Sequence, residues 1–172
     1  MPVATYTDEE CSLARALEIV GERWTLLIVR DAFYGVQRFA DFAAHLSIPR
    51  AILSERLTLL VGSGVLAKEP GPGRREHYRL TAKGISLFPA MRLLVAWGDE
   101  YYAPKGPRRY FLHADDHGEV DVAGVCKECG KSLAVRDYIA VAGPGAPPVG
   151  PDSDVVTRAL AKPHRLLDPI TP

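Results

Sequence analysis

Along the first hundred positions apolar residues recur every three or four places, the period of helices packed on one face. Leu13, Leu17 and Val20 share a face of a first helix that Gly21 ends. Trp24, Leu27, Ile28 and Phe33 mark a second helix that stops at Gly35, and Phe39, Phe42, Ala43 and Leu46 mark a third. Ser47-Ile48-Pro49 interrupts the pattern, and proline just after serine is a helix start signal.

The fourth helix, Pro49 to about Gly62, carries the most information. At about 100° per residue, Arg50, Ser54, Thr58, Ala51 and Glu55 occupy an arc of roughly 140°. Ile52, Leu53, Leu57, Leu59 and Leu60 fill most of the other side, with Arg56 inside that apolar arc and expected to make an intramolecular salt bridge or to pack its stem. One face is built to pack, and the other presents short polar groups and one arginine.

Past Gly62 and Gly64 the period changes to that of two short strands, Val65–Glu69 and His77–Leu80. The Pro/Gly turn between them carries Arg74 and Arg75. Thr81 is placed to cap a further helix, and an amphipathic run with Met91, Leu94, Val95, Trp97 and Tyr101 ends near Pro104. Composition then shifts. Residues 105–142 hold β-like runs at Arg109–Leu112, Val120–Val125 and Leu133–Val141, and residues 143–172 read as a Pro/Gly-rich linker and frayed tail with one short helix over Asp154–Lys162. The fold class expected is mainly α with a small β wing (α+β), a winged helix-turn-helix over 1–104 followed by a small β-rich C-terminal extension over 105–142.

That layout matches the demands of duplex DNA. A major groove admits one α-helix, whose N-terminal side chains reach base edges, while basic groups beside it neutralise phosphates. Arg50 and Ser54 are the candidates for base reading. Pro49 and Ala51 flank them, Arg38 is placed for a backbone contact, and Arg74 and Arg75 for phosphate or the minor groove. Net charge adds nothing, since 21 Lys+Arg balance 21 Asp+Glu. A DNA reading therefore rests on where the charges sit. The 172 residues suffice for one ordinary core. Met1 to Glu10 show no basic n-region, and no apolar run approaches the ~18 residues of a membrane span. A soluble cytoplasmic protein without a membrane partner is expected.

The ordered set Cys11, Ala16-Leu17, Ile19, Gly21-Glu22-Arg23-Trp24-Thr25, Ile28-Val29, Gly35 and Arg38-Phe39 resembles the HxlR-type regulators, relatives of the MarR type. The resemblance continues through Ile48, Leu53, Arg56-Leu57, Gly64-Val65-Leu66, Tyr78-Arg79-Leu80-Thr81, Gly84 and Trp97-Gly98, and covers roughly residues 11–102. It implies a homodimeric repressor or activator acting on operator DNA, of which repression is the expectation here, and no enzymatic activity. Dimerisation through the terminal helices is implied too, with Leu13, Leu17, Leu94, Trp97 and Tyr101 as interface candidates. Ser12 stands where the family often has proline, Arg23 where lysine is usual, and Ala51 where a polar residue is common. Ala51 suits a thymine methyl.

In several such regulators the N-terminal cysteine senses oxidants or electrophiles, which makes Cys11 the candidate for an oxidant or small-molecule effector. Arg15, one turn on, favours that role, while Glu9 and Glu10 oppose it. The extension offers a second chemistry. His113-x-x-x-His117-x8-Cys126-x-x-Cys129 supplies four ligands of types that suit a structural zinc ion, and Cys129-Gly130 resembles a zinc-ribbon knuckle. A redox pair at Cys126/Cys129, or a ribbon without metal, are the alternatives. On these cysteines rest two rival readings of the whole chain, a thiol-dependent oxidoreductase and a zinc-ribbon interaction module.

Overall fold

The computed structural model describes residues 11–71 and 75–171. Four helices come first: α1 (Ser12–Val20), α2 (Thr25–Phe33), α3 (Phe39–Leu46) and α4 (Arg50–Gly62). A hairpin of β1 (Leu66–Pro70) and β2 (Glu76–Leu80) follows, then α5 (Ala82–Ile85) and the long α6 (Phe88–Tyr102). The C-terminal part holds β3 (Arg109–His113), β4 (Tyr138–Ala142), α7 (Val155–Ala159) and β5 (His164–Arg165). The α+β winged helix-turn-helix class is as expected, with one antiparallel sheet of order β1-β2 and a second of order β3-β4-β5.

The α3–α4 turn is set by three consecutive residues. Ser47 takes a left-handed conformation (φ 49°) that ends α3, Ile48 is buried beneath the turn, and Pro49 opens α4 with extended geometry. Leu53, Leu57 and Leu60 then face the core. The wing hairpin is antiparallel, with register Leu66↔Leu80 to Pro70↔Glu76. It is anchored at its base by Thr81, whose hydroxyl donates to the Gly64 carbonyl at 2.6 Å and accepts from the Gly84 N–H. The cross-strand pairs Lys68–Glu76 and Arg79–Glu69 are exposed and worth under about 1 kcal/mol each.

Phe88 is the hinge of the core. Its ring meets Phe33 of α2 and Tyr138 of β4 at centroid separations of 5.0 Å, and Phe111 of β3 at 6.4 Å. Arg92, one turn on, lies over the Phe111 ring and donates to the carbonyls of Val120 and Asp121. One continuous apolar cluster therefore runs from α2 through α6 into β3 and β4, across the boundary expected near residue 104.

The segment that composition reads as linker and tail is packed against the body. Asp154 caps α7 by accepting from the N–H groups of Val156 and Thr157, and Val156, Leu160, Leu166 and Ile170 are buried. β5 pairs with β4, after which Leu167 N–H donates to the Phe33 carbonyl and Ile170 N–H to the Gly35 carbonyl. Gly35 has φ 85°, and a Cβ there would lie 1.7 Å from the Asp168 carbonyl oxygen, so only glycine lets the tail cross. Proline and glycine report local backbone habit, whereas four spaced apolar side chains decided the outcome. Two strand expectations also shift. Val120–Val125 makes only isolated bridges because the chain turns at Asp121–Gly124, where Gly124 has φ 87°. The strand expected over Leu133–Val141 is β4, which starts only at Tyr138, after a 3-10 turn over Val135–Asp137.

Candidate nucleic-acid interface

On α4 the two faces separate as the helical spacing requires. Arg50, Ala51, Ser54, Glu55 and Thr58 are exposed, and so is Pro49 at the helix start. The Arg50 guanidinium lies 4.9 Å from the centroid of the Phe39 ring, which orients it at the junction of α3 and α4. Thr58 donates back to the Ser54 carbonyl, leaving that bond within the helix backbone. Arg56 pairs with Glu55, the intramolecular salt bridge expected of an arginine in the apolar arc.

The wing is tied to the segment leading into α3 by a contact that periodicity does not reveal. Tyr78 N–H of β2 donates to the Gln37 carbonyl, and Arg38 forms an isolated bridge with His77. Arg38 is not an open cation. Its Nε and Nη2 donate to the two carboxylate oxygens of Asp41 at 2.6 and 3.0 Å, and the pair is mostly buried. Arg38, Phe39, Asp41, Arg50, Arg75, Glu76 and Tyr78 line one cleft of about 590 Å³, three arginines with two carboxylates. The cleft thus lies between the first turn of α4 and the wing. Arg75 is exposed there, and Arg74 lies outside the described residues.

A buried ionic group holds the helix-turn-helix together from behind. Asp31 of α2 is fully buried; it accepts from Arg30 Nε and Nη2 at 3.0 and 2.7 Å and sits 2.6 Å from His45 Nδ1 of α3. Nothing in the sequence singles out Asp31, since an acidic residue on a helix has no signature separating a buried one from a surface one.

On the far side, α1 buries none of its nine residues. Leu13 and Leu17 on α1, and Leu93, Leu94, Trp97, Tyr101 and Tyr102 on α6, are all exposed, with the Trp97 ring tilted against the two tyrosines at centroid separations of 5.7 and 5.2 Å. Cys11 is exposed at the N-cap of α1.

In the extension, three of the four ligands expected from spacing come together and one does not. His113, Cys126 and Cys129 gather with Asp116, their ligand atoms all within 4.8 Å of one another. His117 takes φ 58° and is exposed; its N–H closes a turn on the His113 carbonyl, while its place in the cluster is taken by Asp116. The bonds from Cys129 and the Gly118 N–H hold the Asp116 carboxyl far below the usual carboxylate range, and Asp116 in turn pushes the Cys129 thiol up.

Comparison with known proteins places this geometry. A family profile described as HxlR-like helix-turn-helix matches residues 19–106. The uncharacterized HTH-type transcriptional regulator Rv3095 of Mycobacterium tuberculosis is 44% identical over 137 residues, which cover 78% of this chain and 87% of that protein. The uncharacterized HTH-type transcriptional regulator YvaP of Bacillus subtilis is 36% identical over 93 residues, 52% of this chain and 86% of that protein. Among solved structures, that of PA1607, a candidate transcription factor, aligns with a TM-score of 0.65 and 34% identity over 87% of this chain and 100% of that one.

Proposed function

The chain belongs to the HxlR-like helix-turn-helix family of transcription regulators, which are not enzymes, and on that premise we propose that it represses transcription as a homodimer bound to a pseudo-palindromic operator. The observation that carries this reading is the exposed polar arc of α4, which begins beside an arginine-lined cleft closed by the wing. With α4 in the major groove, Arg50 donates to guanine or phosphate at the helix start and Ser54 reads the next base edge. Ala51 meets a thymine methyl. The phosphate backbone runs along the cleft against Arg75, with Pro49 at the start of α4 and Arg74, the neighbour of Arg75 in sequence, as further phosphate contacts. Asp41 takes two N–H groups of Arg38, so Arg38 fixes the cleft wall and adds little net charge.

Dimerisation is supported by the uncovered apolar faces. A helix of nine residues with no buried side chain lacks the packing that makes short helices stable in water. A second copy supplies it by covering Leu13, Leu17, Leu94, Trp97 and Tyr101, and two α4 helices then reach half-sites about 34 Å apart. Cys11, exposed at the head of α1 and two residues before Leu13, is the group through which an oxidant acts on that interface. Cys11→Ser abolishes the effect of diamide on operator binding; an unchanged diamide response sinks the sensing role.

The recognition proposal is tested by titrating a selected operator and a scrambled duplex with two variants. Arg50→Ala costs about 1–3 kcal/mol on the operator and flattens the preference between the duplexes. Arg75→Ala weakens both alike and reduces the salt slope by about one. Equal losses from both variants on both duplexes would remove Arg50 from base reading.

A further inference from the structure

We propose that His113, Asp116, Cys126 and Cys129 bind one zinc ion in a closed, four-ligand site that fastens the loop between β3 and β4. The site is separate from the DNA-reading face and does not depend on the function assigned to that face.

The spacing of the donor atoms carries the proposal. Cys126 Sγ lies 3.3 Å from Asp116 Oδ1, Cys129 Sγ 3.5 Å from His113 Nδ1, and His113 Nδ1 3.0 Å from Asp116 Oδ1. Bonds of about 2.0–2.3 Å to nitrogen, oxygen and sulfur give a tetrahedron whose edges are about 3.3–3.8 Å. These three separations are within a few tenths of an ångström of the edges that a shared ion requires, and all four donor atoms lie within 4.8 Å of one another. Two thiolates with one imidazole and one carboxylate favour zinc over magnesium or calcium, which take oxygen ligands alone. Zinc takes the two cysteines as thiolates, so binding displaces their two protons to solvent.

The surrounding backbone is arranged for the same end. Gly130, with φ 70°, turns the chain after Cys129; its N–H donates to the Cys126 carbonyl, and Cys126 N–H donates to the Lys131 carbonyl. This knuckle points both sulfurs to one side. His113 is buried, and its Nδ1 faces the cluster, 3.0 Å from Asp116 Oδ1 and 3.5 Å from Cys129 Sγ. Cys126 is fully buried while Cys129 is exposed, so the site is anchored inside yet open to metal entry. The loop it fastens also carries the Val120 and Asp121 carbonyls that accept from Arg92 of α6. Zinc therefore stiffens the support of the helix whose outer face is uncovered.

The test uses the full-length protein purified without a metal-affinity step, with elemental analysis and cobalt titration on wild type and three variants. Wild type carries about one zinc per chain, and cobalt gives the thiolate charge-transfer band and intense visible bands of a tetrahedral centre. His117→Ala leaves both unchanged. Asp116→Ala and the exposed-site variant Cys129→Ser weaken binding by more than the roughly tenfold that losing an outer hydrogen-bond partner costs, and neither requires altering the buried Cys126. Chelation lowers the Tm of wild type and leaves that of Cys129→Ser where it is. The proposal is overturned if reduced wild type takes up no zinc on titration, if it is isolated with iron, or if a Cys126–Cys129 disulfide is all that forms. Loss of zinc in His117→Ala would overturn the ligand set.

Discussion

Phe88→Ala lowers stability by about 3–5 kcal/mol, and the winged part and the extension still melt together. Truncating a buried phenylalanine removes its transfer free energy and leaves a cavity, and this ring touches Phe33, Phe111 and Tyr138 at once. Alanine at the first position of α6 returns only about 0.5 kcal/mol of helix propensity. The cluster runs unbroken from α2 to β4, so tryptophan fluorescence, reporting Trp24 and Trp97, and far-UV circular dichroism give one coincident transition. An unchanged midpoint for the tryptophan signal, with only part of the dichroism lost, would mean two independent units. That outcome would restore the boundary near residue 104 that composition suggests.

Asp31→Ala costs about 3 kcal/mol, several times the loss on removing either partner of the wing's Lys68–Glu76 pair. Both are ion pairs, and burial decides between them. Lys68 and Glu76 are solvated on the hairpin surface, where such pairs contribute under about 1 kcal/mol. Asp31 is fully buried, and its removal strands Arg30 and His45 without their shared acceptor. Breaking buried pairs costs about 3–5 kcal/mol, and Arg30 still reaches solvent with about a quarter of its side chain exposed, which sets the lower end. Because the group joins α2 to α3, the loss also loosens the seating of α4, so Asp31→Ala weakens DNA binding without touching the exposed arc. Equal midpoints for Asp31→Ala and Glu76→Ala in urea titrations would refute the assignment.

These two sites mark where sequence reading ends. The order of α1 to α6, the separation of the two α4 faces and the Thr81 cap are all local, repeating every few residues, and were legible from periodicity. Arg38, Phe88 and Asp31 were not. Arg38 stands in the sequence as a cation beside a helix start, and only the fold turns Asp41 back onto its guanidinium. Phe88 is one apolar residue among many until β3 and β4 close on it. The 143–172 segment misleads for the opposite reason. Proline and glycine there shape turns, while Val156, Leu160, Leu166 and Ile170 find a surface made by residues more than a hundred positions earlier. Asp116 and His117 differ by one position. Spacing favours the histidine, but the positive φ at residue 117 turns it outward and leaves the carboxylate facing the cysteines.

The account stands most directly on what DNA the whole protein selects. Incubating the full-length chain with random duplex DNA, enriching the bound fraction and footprinting the winning sequence at two salt concentrations tests this in one experiment. A homodimeric reader selects a dyad-symmetric site, with half-sites centred about one helical turn apart and an affinity that falls steeply with salt. Enrichment of no sequence, or of a single half-site bound by a monomer, would contradict it.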